Sequence, residues 1–181
     1  MASDYGLNFG FRRSDESVLT REGRFRTPAA GTLWQGMAVV IDPSNAGDLA
    51  VGSANEPLVT GFSGLLIQEA VHIRSVYEQP EVDSFDLGAV RNAQQAQFVF
   101  GAGAKVWFQN TPAQTREDGR SISAVTVVNV TGLTAVGDTL GWGGTNWVQS
   151  DGGTTTPDWF KITALDLGTA GSEYIEAVLL G

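Results

Sequence analysis

Apolar residues in this chain occur in short runs, separated by turns rich in glycine, asparagine and proline. The first four runs are 37–41, 48–51, 58–67 and 70–76. Short apolar runs that contain β-branched residues and end in turn residues predict strands, whereas an amphipathic helix needs a longer stretch with a period of 3.6. Gly61 and Gly64 interrupt the third run and indicate a bulge or a tight bend.

Two glycine-containing loops are flanked by apolar arms. In the first, residues 101–104 join 97–100 to 105–108, and in the second, residues 143–146 join 140–142 to 147–148. Short alternating arms around such a loop predict a β-hairpin. In the first hairpin, the alternation places Phe98 and Phe100 on one face, with Val106 and Phe108 as the matching pair on the second strand.

The remaining runs complete an all-β pattern. Residues 122–130 form the longest β-branched run and predict a strand at the centre of a sheet, and 160–165 and 174–180 predict two more strands. Only 89–97 is rich in helix formers, and it allows one helical turn. Strands separated by turn signals every ~8–12 residues predict an all-β fold, mainly an antiparallel sandwich or barrel with little helix.

The first thirty residues differ from the rest of the chain. They show no sustained period of 3.6 or 2, and they contain five arginines and several aromatic residues. We interpret residues 1–30 as an extended docking arm, followed by a first β lobe (31–112) and a second (113–181), or by one continuous β domain (31–181). Arginine and aromatic side chains dominate interface hot spots. The predicted partner-binding residues of the arm are Phe9, Phe11, Arg12, Arg13, Arg21, Arg24, Phe25 and Arg26. A solvated tail is the alternative interpretation.

Charge also separates the arm from the body. The net charge is -9: residues 1–26 hold five basic and four acidic residues (+1), and the remainder holds six basic and sixteen acidic residues (-10). An acidic body repels phosphate, so we expect no nucleic-acid partner. The chain has no apolar run near the ~20 residues that cross a bilayer and no apolar signal-peptide core, which predicts a soluble protein without a membrane partner.

Residues suited to catalysis or metal binding are few. The absence of cysteine excludes disulfides and thiolate metal sites. The single histidine, His72, lies within an apolar run, where a structural role is favoured over that of a hydrolase base. The acidic segment 78–87 lacks the spacing and glycine of an EF-hand loop, so it is interpreted as a solvated loop, and its binding of cations stays an open question. We expect no enzyme activity, no catalytic residue, no cofactor and no metal.

The five tryptophans are dispersed along the chain. They occupy positions 34, 107, 142, 147 and 159. Large aromatic side chains commonly fill β cores or subunit contacts, and they can also stack on sugar rings. A carbohydrate-binding module therefore remains an alternative.

Three parts of the body share short β-like runs that open after a glycine. They are 35–42 with 49–51; 98–111; and the C-terminal part from 136–140 through 161–166 to 174–180. In these parts the body resembles the small capsid decoration proteins, also called cement or head-stabilisation proteins, of tailed bacteriophages. The resemblance implies a non-enzymatic virion protein on the outer surface of the capsid. Its implied partners are the major capsid protein and further copies of itself, often in a homotrimer.

Within that role, the arm is expected to add backbone hydrogen bonds to a sheet edge of a capsid subunit, with its arginines paired to carboxylates. Deleting residues 1–26 would then leave the body folded and prevent binding to heads. Two other functions stay open at this point: a tail tube or head–tail connector protein, and a β-sandwich carbohydrate-binding module of a phage fibre.

Overall fold

The computed structural model describes residues 9–12, 19–25, 35–42, 48–67, 94–100 and 102–181. Those residues form thirteen strands and no helix, which confirms the predicted all-β class. The strands are β1 Phe9–Arg12, β2 Leu19–Phe25, β3 Ala38–Ile41, β4 Asp48–Val51, β5 Ser63–Leu66, β6 Gln94–Phe100, β7 Lys105–Gln109, β8 Gln114–Thr115, β9 Ser121–Ile122, β10 Thr139–Trp142, β11 Trp147–Gln149, β12 Phe160–Asp166 and β13 Tyr174–Leu179.

Strand pairing groups these elements into an open sheet, a closed barrel and a short ribbon. The open sheet has six strands in the order β1-β7-β13-β12-β10-β11, all antiparallel. The barrel closes in the order β2-β4-β3-β5-β6, with β2 and β4 parallel and the other pairs antiparallel. The ribbon is β8-β9. The sheet therefore has edges at β1 and β11, whereas closure removes the edges of the barrel.

The described parts of the predicted arm are strands of these two units. β1 pairs with β7, with Phe9 opposite Phe108, and β2 pairs with β6 along seven residues and with β4. These segments of the predicted arm (1–30) are therefore strands that pair within the chain, and the docking role of the arm stays a prediction. β2 pairs on both sides, with β6 and β4, whereas β1 pairs on one side only and is an edge strand of the open sheet.

The strand pairing also crosses the predicted lobe boundaries. β7, from the predicted first lobe (31–112), lies between β1 and β13 in the open sheet. The predicted hairpin of 97–100 with 105–108 is wrong, because β6 belongs to the barrel and β7 to the sheet. The loop 101–104 bonds instead to Leu179, at the end of β13. The Leu179 carbonyl accepts a hydrogen bond from Gly103 N at 2.9 Å, and the Leu179 N–H donates to Ala104 O at 2.9 Å.

Several other predicted strands are confirmed. β3, β4, β12 and β13 lie where the apolar runs predicted them, and β10 and β11 form the second predicted hairpin, in which Gly143 N donates to Asn146 O at 2.9 Å. The run 58–67 is a strand only from Ser63 onward, because residues 59–62 form a turn with Gly61 at φ 80°. Residues 94–97 belong to β6 and not to a helical turn. The predictions for 70–76, 78–87 and 89–93 lie outside the described residues.

One hydrophobic core joins the barrel to the open sheet. Trp147 lies at its centre, fully buried, with ring centroids 5.8 Å from Phe108, 4.9 Å from Trp142, 5.4 Å from Trp159 and 4.8 Å from Phe160. Several of these pairs are tilted or edge-to-face, which are favourable aromatic geometries.

Three indole N–H groups connect this aromatic core to the segment that contains β3 and β4. Trp142 Nε1 donates to Gly52 O at 2.8 Å, Trp147 Nε1 to Gly36 O at 2.8 Å, and Trp159 Nε1 to Glu56 O at 2.7 Å. A buried indole N–H needs an acceptor, and these backbone carbonyls supply it. Three of the five tryptophans are therefore structural. Trp34 lies outside the described residues.

Candidate functional site

The eight predicted partner-binding residues fall into two different units. Phe9 is only 4% exposed, and its ring centroid lies 5.5 Å from that of Phe108. Phe9 is therefore a core residue, which corrects its assignment as an anchor for a partner. The other assignments stay predictions: Phe11 and Arg12 belong to β1, Arg21, Arg24 and Phe25 to β2, and Arg13 and Arg26 lie outside the described residues.

His72 and the acidic segment 78–87 also lie outside the described residues. Within the ranges that the structure describes, no three histidine, cysteine, aspartate or glutamate side chains come together as a metal-ligand set. In the same ranges, no helical segment has both the length and the apolar character to traverse a bilayer.

The open sheet has one face on the core and one turned away from it, which we call the outer face. Along β7, Val106 and Phe108 are buried, whereas Lys105, Trp107 and Gln109 are exposed or half-buried. Along β13 the same alternation buries Ile175, Ala177 and Leu179 and turns Tyr174, Glu176 and Val178 outward. The period of two that builds the core therefore also collects a second set of side chains on the outer face.

Trp107 and Tyr174 form an aromatic surface on the outer face. Their ring planes differ by 28° and their centroids are 6.1 Å apart, so the rings are offset. Trp107 lies opposite Gly10 of β1, and a β-carbon at Gly10 would overlap the indole ring. Gly10 therefore allows the indole to lie against the backbone of β1. On its other side Trp107 lies opposite Glu176, whose Oε1 accepts a hydrogen bond from the Tyr174 hydroxyl at 2.9 Å.

Both lysines of the chain are on this outer face. Lys105 and Lys161 are exposed and flank Val178, which lies opposite each of them in register. Because neighbouring strands are ~4.8 Å apart, the two lysine Cα atoms are separated by about 10 Å. Neither lysine makes an ion pair within the described part of the chain. An acidic protein therefore presents two unpaired cations beside a half-buried aromatic pair.

A buried polar network lies at the end of β7. Asn110 donates from Nδ2 to Val128 O at 2.8 Å and to Glu173 Oε2 at 2.9 Å, and its Oδ1 accepts from Val127 N at 2.9 Å and Val128 N at 3.1 Å. Burial opposes ionisation of Glu173, but the hydrogen bonds from Asn110 and from Gly171 N outweigh it, and the pKa of Glu173 is lowered from its ordinary value. These contacts are structural.

The same network corrects the prediction for 122–130. That run contains only the end of β9 and two isolated bridges, Thr111 with Val125 and Val128 with Trp147. The N–H groups of Val127 and Val128 bond to a side chain and not to a neighbouring strand, so the segment stays irregular although Val127 and Val128 are buried. Strand propensity did not indicate this, and a lone asparagine after a strand carries no recognisable signal.

A separate apolar feature is the turn 59–62 between β4 and β5. Phe62 is 60% exposed and Val59 is 46% exposed. Val59 O accepts from Phe62 N and Ser63 N, both at 2.9 Å, and the buried Ser63 hydroxyl accepts from Val59 N at 3.0 Å and donates to Pro57 O at 3.3 Å. The turn is therefore held in one shape while it presents two apolar side chains to solvent.

No family model, curated protein or solved structure matches this chain. The three sequence parts with short runs that open after a glycine include β3, β4, β7, the end of β6 and the strands from β10 to β13. These strands belong to both the barrel and the open sheet.

Proposed function

We propose that this chain is a structural virion protein that binds the outside of an icosahedral phage head and stabilises contacts between major capsid subunits. The partners are the major capsid protein and further copies of the chain, in a homotrimer. The sequence resemblance motivates this assignment, and the exposed turn 59–62 is the structural observation that carries it. Because β1 and β2 pair within the chain, the proposal places the capsid contact on this turn and not on a free arm.

The turn has the properties of an interface anchor. Aromatic side chains that fill a pocket on a partner supply a large share of binding energy. The hydrogen bonds around Ser63 already order the turn, so docking loses little conformational entropy. An acidic surface elsewhere on the body is compatible with an outward-facing position and disfavours contact with packaged DNA.

The test is co-sedimentation of the full chain with undecorated heads of the phage that encodes it. We expect saturable binding, and we expect Phe62→Ala to weaken it at least tenfold, since a hot-spot truncation costs about 2 kcal/mol or more. The matched control is Val136→Ala, which truncates an apolar side chain that is 61% exposed elsewhere. No binding by the unmodified chain would refute the function. Equal effects of both substitutions would refute the role of the turn.

A further inference from the structure

We infer that the outer face of the open sheet binds an acidic glycan, a polysaccharide that contains uronic acid residues. In this arrangement a sugar ring stacks on Trp107 and Tyr174, Glu176 accepts hydrogen bonds from sugar hydroxyls, and the two lysines bind carboxylates. This inference goes beyond the proposed function, because it concerns a different face and a different class of ligand.

The aromatic pair supplies the stacking surface. The indole of Trp107 lies against Gly10 on one side, and the residue is half-buried, so part of it is accessible to solvent. Tyr174 extends the surface with a ring tilted by 28° relative to the indole. The two half-buried rings together offer an aromatic surface, which suits the apolar C–H face of a pyranose ring. Trp142, Trp147 and Trp159 are buried in the core and cannot take this role.

Glu176 supplies a polar contact beside the platform. It is exposed, and one of its oxygens already accepts from the Tyr174 hydroxyl. An ionised carboxylate has about four acceptor sites, so most of its capacity is open to further donors. Sugar hydroxyls are such donors. The Tyr174 contact holds the carboxylate at the edge of the aromatic surface, where hydroxyls of a stacked sugar would lie.

The lysines favour an acidic glycan over a neutral one. Lys105 is two residues from Trp107 on β7, which places it about 6.8 Å away along the strand. Lys161 lies across Val178 on β12. The same face carries two carboxylates, Glu176 and Asp166, so contacts to anions come from the two lysines themselves and not from the net charge of the face. Protein interfaces are depleted in lysine and glutamate, which makes an acidic protein the less favoured occupant.

The experiment titrates the full chain with three probes and follows indole N–H resonances by NMR, with affinities from calorimetry. The probes are oligogalacturonate, a neutral dextran oligosaccharide, and poly-L-glutamate of matched charge. We expect oligogalacturonate to shift the Trp107 resonance and to leave the three buried, hydrogen-bonded indoles unchanged. We expect weaker binding of the other two probes and a loss of affinity as salt is added, because exposed charges are screened.

Substitutions then locate the site. We expect Trp107→Ala to reduce oligogalacturonate affinity at least tenfold and each of Lys105→Gln and Lys161→Gln to reduce it by about fivefold or less, the range of an exposed ion pair. The matched control is Arg120→Gln, which removes one positive charge from the turn between β8 and β9. Should Trp107→Ala fail to fold, the lysine variants still test the site.

Four results would overturn the inference. They are no binding of oligogalacturonate, equal binding of dextran, equal binding of poly-L-glutamate, and a loss of affinity in Arg120→Gln as large as in the lysine variants. The third result would identify a general anion site that accepts acidic proteins. None of these results depends on capsids, so the outcome is independent of the co-sedimentation test.

Discussion

Replacing Asn110 by alanine should be among the most destabilising substitutions outside the aromatic core. The side chain is 4% exposed and makes four hydrogen bonds, two as a donor and two as an acceptor. Alanine leaves the N–H groups of Val127 and Val128 and the carbonyl of Val128 without this partner. It also removes a charge-assisted bond from Glu173.

The magnitude follows from these lost contacts. A buried donor left unsatisfied costs about 1–3 kcal/mol, and a hydrogen bond to a charged group contributes about 1.5–3 kcal/mol. Two unsatisfied N–H groups near the lower limit and one lost bond to Glu173 sum to about 4 kcal/mol. That is a large part of the 5–15 kcal/mol of a typical domain, so we expect the variant to be marginally folded at about 25 °C.

The assay is urea denaturation of the full chain at neutral pH, followed by tryptophan fluorescence, which reports on the buried indoles. The matched control is Asn129→Ala, which removes one exposed hydrogen bond from Thr131 N in the same segment and should cost less than about 1 kcal/mol. If Asn110→Ala lowers the free energy of unfolding by no more than the control does, the network does not hold the segment and the reasoning is refuted.

Asn110→Asp separates hydrogen bonding from charge at the same position. Aspartate keeps an acceptor for the two N–H groups, but places a second carboxylate beside Glu173. Two adjacent carboxylates raise each other's pKa, so the stability of this variant is fully present only at low pH and falls as the pH rises through about 4 towards 7. The unmodified Glu173 behaves oppositely: its lowered pKa stabilises the fold above about pH 4, and this contribution is lost on acidification. Parallel pH profiles of the two proteins would contradict this assignment.

Two further predictions concern the N-terminal strands and acid stability. Deleting residues 1–26 removes β1 and β2, which opens the barrel and exposes the edge of β7. We therefore expect loss of a cooperative thermal transition by circular dichroism, and a melting temperature within a few degrees of the full chain would contradict the observed pairing. Asp138 accepts hydrogen bonds from Thr134 N at 2.8 Å and Ala135 N at 3.0 Å, and these backbone bonds lower its pKa. We expect Asp138→Asn to lose less stability than the unmodified protein when the pH falls from above about 4 to below it, and equal losses in urea titrations would refute this.

The sequence by itself determined the elements whose signals are local. The β10–β11 hairpin follows from a glycine loop between two alternating arms, which is a local hairpin signal. β3, β4, β12 and β13 follow from apolar alternation bounded by turn residues. The alternation along β7 also places Trp107 on the opposite face of the strand from Val106 and Phe108, which assigns Trp107 to the outer face.

Tertiary structure decided which strands pair when the partners are distant in sequence. The loop 101–104 has the composition of a hairpin, yet β7 pairs with β1 and β13, because those strands complete the open sheet and bury Phe108. The run 122–130 has strong strand propensity, yet the N–H groups of Val127 and Val128 donate to the Asn110 side chain and not to a neighbouring strand. Phe9 lies in a segment whose arginine and aromatic residues are typical of an interface, yet the pairing of β1 with β7 buries its side chain.

The outer face also depends partly on local sequence signals and partly on contacts between distant strands. Composition identified five tryptophans and two lysines, but it could not separate the three core indoles from Trp107 or place Lys105 and Lys161 on either side of Val178. Turn residues and apolar alternation act over a few positions, so the strands and turns that they form can be predicted from the sequence. Burial and register depend on the free energy of contacts between residues far apart in sequence, which only the assembled sheets define.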